Sequence, residues 1–264
     1  MFERIQRFLS GEPVPLADGP ERAFDRGYFL LVAEAGIGKT ALLTHWIDHN
    51  ESCPLPIRFY WRRGRNLTPF DFVRHLYHGL LIKHNVEDSE PPQDENDYRR
   101  KLDSLLKTVS ERYLAEGERE VIVIDGLDEA GDPKERIEAI RAIPRALPPR
   151  VYFLLSSRPI AETDALLRDD CYQWKLDAGE DWNRKDVRSY VENQLSAQLE
   201  SGELDRSRLP QIDEAAEGNF LWAEYFCQGV LTGALPLRDL KDCLPRLKGL
   251  DDLYREFWTR VIES

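Results

Sequence analysis

The sequence predicts an α/β fold: a three-layer sandwich around a five-stranded parallel sheet, followed by a C-terminal helical subdomain. Three observations predict it. Five short apolar runs lack the period-two alternation of a half-exposed strand, as expected for strands covered on both faces. Segments of helical periodicity separate these runs up to about residue 176, and alternating strands and helices build parallel sheets. Beyond that point every pattern is helical.

Taken in order, residues 1–26 stay unassigned, because Gly11 to Arg26 carries Pro13, Pro15 and Pro20 and shows no periodicity. The first strand is expected at Tyr28 to Val32 and the second at Ile57 to Trp61. Phe70, Val73, Leu76, Tyr77, Leu80 and Leu81 then recur at helical spacing. Asn85 to Asp97 is acidic, contains Pro91-Pro92 and reads as a solvated loop. A second helical pattern runs through Tyr98, Leu102, Leu105, Leu106 and Val109. Val121 to Ile124 is the third strand, Ile137, Ile140 and Ile143 mark a helix, and Val151 to Leu155 is the fourth strand. Tyr172 to Leu176 is the weakest of the five. A boundary near Ala178 and Gly179 divides an α/β core, residues 27–178, from a helical subdomain, residues 179–264. In that subdomain Asn183 is expected to cap a helix carrying Val187, Tyr190, Val191 and Leu195, with Asp186 in its first turn. Helices follow at Leu209 to Ala216, Phe220 to Leu231 and Leu250 to Ile262, the last with an apolar stripe through Phe257, Trp258, Val261 and Ile262.

Composition removes several classes of function. Of the 264 residues, 42% are hydrophobic and 32% charged, too apolar for a disordered chain and too polar for a membrane one. No apolar run approaches the roughly 18 residues that cross a bilayer. The net charge of −12 argues against a general nucleic-acid surface. Cys53, Cys171, Cys227 and Cys243 form no CxxC pair and read as reduced thiols, which suits the cytoplasm. His45, His49, His75, His78 and His84 lack Cys or Asp partners at metal-ligand spacing. Trp222, Tyr225 and Phe226 are read as core rather than as a base-stacking platform.

Three segments carry chemistry. After the first strand come Ala33, Glu34, Ala35, Gly36, Ile37, Gly38, Lys39, Thr40 and Ala41, leading into a helix. Glycines let backbone N–H groups wrap a phosphate, the helix N-terminus adds partial positive charge, Lys39 adds a cation and Thr40 a hydroxyl for Mg²⁺. This is a P-loop in which Ala33 takes the place of the first glycine. A positive φ there would cost alanine roughly 1–2 kcal/mol, whereas a negative φ would cost little. The second segment ends the third strand at Asp125, with Asp128 and Glu129 close behind. Asp125 can help Thr40 hold the metal, and Asp128 or Glu129 can polarise an attacking water. Third, Arg158 lies just beyond the fourth strand, at the sheet end where α/β proteins bind ligands. Its guanidinium suits a terminal phosphate, with a surface ion pair as the competing reading. Arg62, Arg63 and Arg65 after the second strand are either a solvated loop or a contact to a neighbouring subunit's phosphate.

These segments in this order resemble the NACHT family of STAND-class P-loop NTPases. Asp125-Gly126-Leu127-Asp128-Glu129 is similar to that family's Walker B motif, and Ser157-Arg158-Pro159 to its sensor-one element. Asp186 to Val191, Gly218-Asn219-Phe220-Leu221-Trp222-Ala223 and the segment from Leu244 to Trp258 are similar to family segments in the helical subdomain. Gly218-Asn219-Phe220 stands where the family often has glycine-x-proline, and Phe8 to Glu12 is a degraded form of its Gly-Arg-Glu motif. The resemblance implies that the fourth strand lies between the first and third. It also implies an ATP- or ADP-binding, slowly hydrolysing signalling switch, as in innate immunity, with Mg²⁺ as cofactor and Lys39, Asp128, Glu129 and Arg158 as catalytic candidates. Effector, winged-helix and sensor domains are expected in a longer protein, with a nucleotide-driven homo-oligomer as its active form. Two alternatives stay open: a nucleotide-binding interaction module without turnover, and a phosphotransferase acting on a small acceptor.

Overall fold

A computed structural model of the chain describes residues 2–16, 19–50, 55–62, 64–65, 67–237, 244 and 247–263, with the side chains of residues 2 and 257–263 outside the description. Cys53, Cys243 and Arg63 lie outside the described residues, as do the side chains of Phe257, Trp258, Val261 and Ile262. The described chain falls into two compact units: residues 1–32 with 39–175, and residues 33–38 with 176–264.

The first unit is built on a parallel sheet of β1 (Gly27–Val32), β2 (Ile57–Tyr60), β3 (Glu120–Asp125), β4 (Val151–Ser157) and β5 (Cys171–Lys175), in the order β2-β3-β4-β1-β5. β4 therefore sits between β1 and β3, as the resemblance implies. Every residue of β1, β3 and β4 is buried, which explains their unbroken apolar sequence. The expectation of double coverage fails at the two edges. Arg58 and Tyr60 of β2 are exposed, and β5 alternates between buried and more accessible residues, because a sheet edge has one thinly covered side.

One face of the sheet packs against α3 (Pro69–His84), α4 (Glu95–Thr108) and α5 (Pro133–Ala142). Their starts are chemically specified. Thr68 and Asp71 form a capping box on α3, Asp94 caps α4, and Asp132 with Glu135 boxes α5, each with Pro or acidic residues in the first turn. The acidic loop consequently ends at Asp94, short of the expected Asp97. Ile143 leaves the helical pattern: its ψ of 128° is extended, as the following Pro144 requires. The opposite face, which carries Phe29, Tyr152 and Tyr172, meets α1 (Phe2–Ser10), and β1 leads through a loop into α2 (Lys39–His49). α1 falls in the segment left unassigned from sequence, and its Ile5, Phe8 and Leu9 are buried at helical spacing. Phe8 touches Phe24, Phe29, Tyr152 and Tyr172, with ring centroids 5.1–6.0 Å apart, so the residue read as part of a degraded motif is a core aromatic.

The second unit is helical: α6 (Asp181–Gln194), α7 (Ser196–Ser201), α8 (Leu209–Ala216), α9 (Phe220–Leu231) and α10 (Gly249–Glu263). α6 starts two residues before Asn183, which is buried inside it rather than capping it. The Asn183 amide instead donates to the carbonyls of Ala178 and Gly218, at 3.2 and 2.6 Å. Trp222 and Phe226 stack at 4.8 Å in the core, and the indole N–H of Trp222 donates to the Leu247 carbonyl. Among the described residues no helix is long and apolar enough to cross a membrane.

Candidate functional site

At Val32 the chain leaves the sheet, turns through Ala33–Gly38 and starts α2 at Lys39. The non-glycine residues with positive φ among those described are Leu55, Asn85, Arg150 and Glu217. Ala33 is not one of them, so its methyl group meets no backbone strain and the first loop position needs no glycine here.

β3 delivers Asp125 to the same end of the sheet, where it is 6% exposed. Thr40 Oγ1, in the first turn of α2, donates to Asp125 Oδ2 at 2.7 Å, and Ser156 Oγ on β4 donates to Oδ1. Ser156 accepts in turn from the Gly126 N–H at 3.0 Å. The carboxylate is thus held by hydroxyls from a helix and a neighbouring strand. Sequence reading alone passes over Ser156. Its signal is the strand period: Ile124 pairs with Leu155, so the next residues, Asp125 and Ser156, come level on one face. Ser157 points to the other face and buries its hydroxyl oxygen with no hydrogen-bond partner.

Gly126 makes the turn out of β3. Its φ is +79°, and a Cβ there would stand 3.0 Å from the Trp61 carbonyl oxygen, so glycine is required on two counts. The short helical turn Leu127–Glu129 then carries the next two acids, Asp128 and Glu129. Asp128 is buried and points back to β4. Its Oδ1 accepts from the Arg158 backbone N–H at 2.9 Å, and its Oδ2 pairs with Arg158 Nε at 3.1 Å. The Arg158 pairing uses Nε, so its two Nη groups are the donors that could reach a phosphate. Glu129 is half-buried and lines a cleft of about 300 Å³ with Trp61, Arg62, Arg65, Gly131 and Glu135. Arg62 and Arg65, both exposed, line the same cleft as this acid.

A further pair braces this end of the unit. Arg136 on α5 donates from Nε and Nη2 to Glu162 Oε1, at 3.0 and 2.7 Å, and from Nη1 to the Gly131 carbonyl at 2.8 Å. It ties the loop after Glu129 to the turn after Arg158. A backbone N–H and the Arg136 guanidinium hold the Glu162 carboxyl below the usual carboxylate range. Nothing local in the sequence signals this pair, because its members lie on different elements.

Mg²⁺ takes hard oxygen donors and keeps several waters. Thr40 Oγ1 and Asp125 Oδ2 fit that preference in chemistry and proximity. Among the described residues no group of three or more His, Cys, Asp or Glu could hold a metal. A cation here would complete its shell with water and nucleotide oxygens.

A family model described as nephrocystin 3, N-terminal, matches residues 21–158, more than half of the chain. The chain belongs to the nephrocystin 3 N-terminal family. That family is NACHT-like, in line with the resemblance drawn from the motifs. The match spans β1 to β4 and ends on Arg158. Comparison with curated protein sequences gives no match. Among solved structures, the Cdc6p protein of Pyrobaculum aerophilum aligns at 13% identity and TM-score 0.53, covering 88% of this chain and 60% of that one. A STAND protein with a tetratricopeptide repeat sensor from Pyrococcus horikoshii aligns at 13% identity and TM-score 0.46, covering 84% and 31%. The ORC1 protein of Aeropyrum pernix, solved with DNA, aligns at 15% and 0.48, covering 99% and 63%. The chain thus spans less than two thirds of each of these proteins. At these identities the Cdc6p likeness speaks to fold alone, and it agrees with the α/β P-loop architecture.

Proposed function

We propose that this nephrocystin 3 N-terminal member binds ATP and ADP with Mg²⁺, hydrolyses ATP slowly, and is the core of a signalling switch. One observation carries the reading: the Thr40 hydroxyl and the Asp125 carboxylate meet at 2.7 Å where the phosphate loop enters α2. Bound there, the metal would supply charge neutralisation on the terminal phosphates. The residues of the chain divide the remaining work. Backbone N–H groups of the 33–41 loop and Lys39 hold the phosphates, and Asp125, oriented by Ser156, keeps a carboxylate oxygen beside Thr40. Glu129, which lines the cleft beyond the Asp125 turn, takes a proton from the attacking water, and Asp128, engaged through both oxygens, holds Arg158. Arg158, fixed at its Nε and backbone N–H, can offer Nη to the terminal phosphate. Slow turnover suits a two-state device, in which each bound nucleotide favours one conformation for as long as it stays. Isothermal titration with Mg-ADP and a phosphate-release assay test the proposal. Wild type should bind ADP and release phosphate at a low rate, and Lys39→Ala should do neither.

The phosphotransferase reading keeps one supporting feature, the cleft lined by Glu129, Arg62 and Arg65. It requires transfer of labelled phosphate from ATP to an added small acceptor in place of release to water.

A further inference from the structure

The loop residues Ala33–Gly38 group with α9 in one compact unit, and the hydrogen bonds between them are specific. Asn219 caps α9: its Oδ1 accepts from the Trp222 N–H at 3.0 Å. The other half of the same amide faces the loop, with Nδ2 donating to the Ala35 carbonyl at 3.0 Å. The next two backbone N–H groups, of Phe220 and Leu221, both donate to the Gly36 carbonyl, at 2.8 and 3.2 Å. Two consecutive loop carbonyls are therefore held by the first turn of one helix.

This has a consequence for the amides. In a trans peptide the C=O and N–H point in opposite directions, and no cis peptide occurs among the described residues. Holding the Ala35 and Gly36 oxygens against α9 turns the Gly36 and Ile37 N–H groups to the side away from it. Gly36 shows how closely the parts fit: its φ is +78°, and a Cβ there would stand 2.3 Å from Asn219 Oδ1. A Cβ on Gly38 would meet the Phe220 ring at 3.2 Å.

We infer that Asn219 is a positioning residue: through α9 it preorganises the loop amides that receive phosphate, so phosphate binding and the Asn219 tether reinforce each other. The inference rests on the reading of residues 33–41 as the phosphate loop. Donors fixed before the ligand arrives cost no ordering when it binds, and the coupling is reciprocal, so bound phosphate stabilises the first turn of α9 by the same factor.

The test uses two variants that keep the cap and lose the tether. Ser and Asp both cap helices well, but neither offers Nδ2 to Ala35. Binding of Mg-ADP and of Mg-pyrophosphate is measured for wild type, Asn219→Ser and Asn219→Asp, with melting temperature as the control for folding. Hydrogen exchange at Phe220 and Leu221 is followed with and without ADP. Expected is a loss of about tenfold for both ligands in Asn219→Ser, a larger loss in Asn219→Asp, and melting within a few degrees of wild type. ADP should slow exchange at Phe220 and Leu221 in wild type and not in the variants. If the variants bind both ligands as tightly as wild type, the tether has no positioning role. If wild type binds neither ligand, the phosphate-loop reading fails and the inference falls with it.

Discussion

Asp128 and Glu129 are neighbours in sequence and differ in what surrounds them. Asp128 spends both oxygens on Arg158, whereas Glu129 lines the cleft next to Arg62 and Arg65. Glu129→Gln should therefore retain ATP affinity within about threefold while lowering turnover by the 10²–10⁴-fold typical of a lost general base. Asp128→Asn should act differently, by loosening Arg158. Side-by-side steady-state kinetics decide, and equal loss of turnover with unchanged nucleotide affinity in both would remove the distinction. Ala33 offers a second residue-scale test. Its φ is not positive, so Ala33→Gly should change ADP affinity by less than about 1 kcal/mol and lower the melting temperature slightly through backbone entropy. The contrast in how these residues read is physical. Ala33, Lys39, Thr40, Asp125 and Arg158 are legible because each follows a strand or opens a helix, at spacings the chemistry demands. Ser156 and Asn219 are not, because their roles come from residues 31 and 184 positions away in the chain.

Among the elements, strands are legible to within two residues at each end because burial on both faces makes the middles of β1, β3 and β4 continuously apolar, while the polar residues Glu120, Asp125, Ser156 and Ser157 sit at their ends. α1 is not, since its short stripe of Ile5, Phe8 and Leu9 gains meaning only when Phe29, Tyr152 and Tyr172 present a face to it. Two ion-pair clusters join elements and can be tested. Glu120, fully buried at the start of β3, pairs with Lys83 and His84 of α3, both at 2.8 Å. Lys83→Ala leaves that carboxylate short of a partner and should destabilise the fold by about 3 kcal/mol in chemical denaturation. Replacing Lys83 and Glu120 together should cost less than the sum of the single changes. Arg136 and Glu162 form the second cluster. The folded Glu162 carboxyl is held below its unfolded range, so its contribution is complete above the unfolded value and disappears as pH falls through the folded one. The melting difference between wild type and Glu162→Gln should accordingly be largest near neutral pH and vanish in acid. A difference that persists unchanged into acid would mean that charge is not what joins the two loops.

On the scale of the whole molecule, the family and the fold are one matter and the proposed reaction another. Membership in the nephrocystin 3 N-terminal family comes from residues 21–158, and the architecture from a sheet whose β4 lies between β1 and β3. The nucleotide-site reading comes from the arrangement of Thr40, Asp125, Ser156, Asp128, Glu129 and Arg158 at the sheet's carboxyl end, and the proposed switch role from the family resemblance. The most direct measurement is titration of purified protein with Mg-ATP and Mg-ADP, run with a phosphate-release assay on wild type, Lys39→Ala and Glu129→Gln. The account predicts that wild type binds both nucleotides and releases phosphate slowly, that Lys39→Ala binds neither, and that Glu129→Gln binds without turnover. Wild-type nucleotide affinity in Lys39→Ala, or undiminished phosphate release in Glu129→Gln, would contradict it.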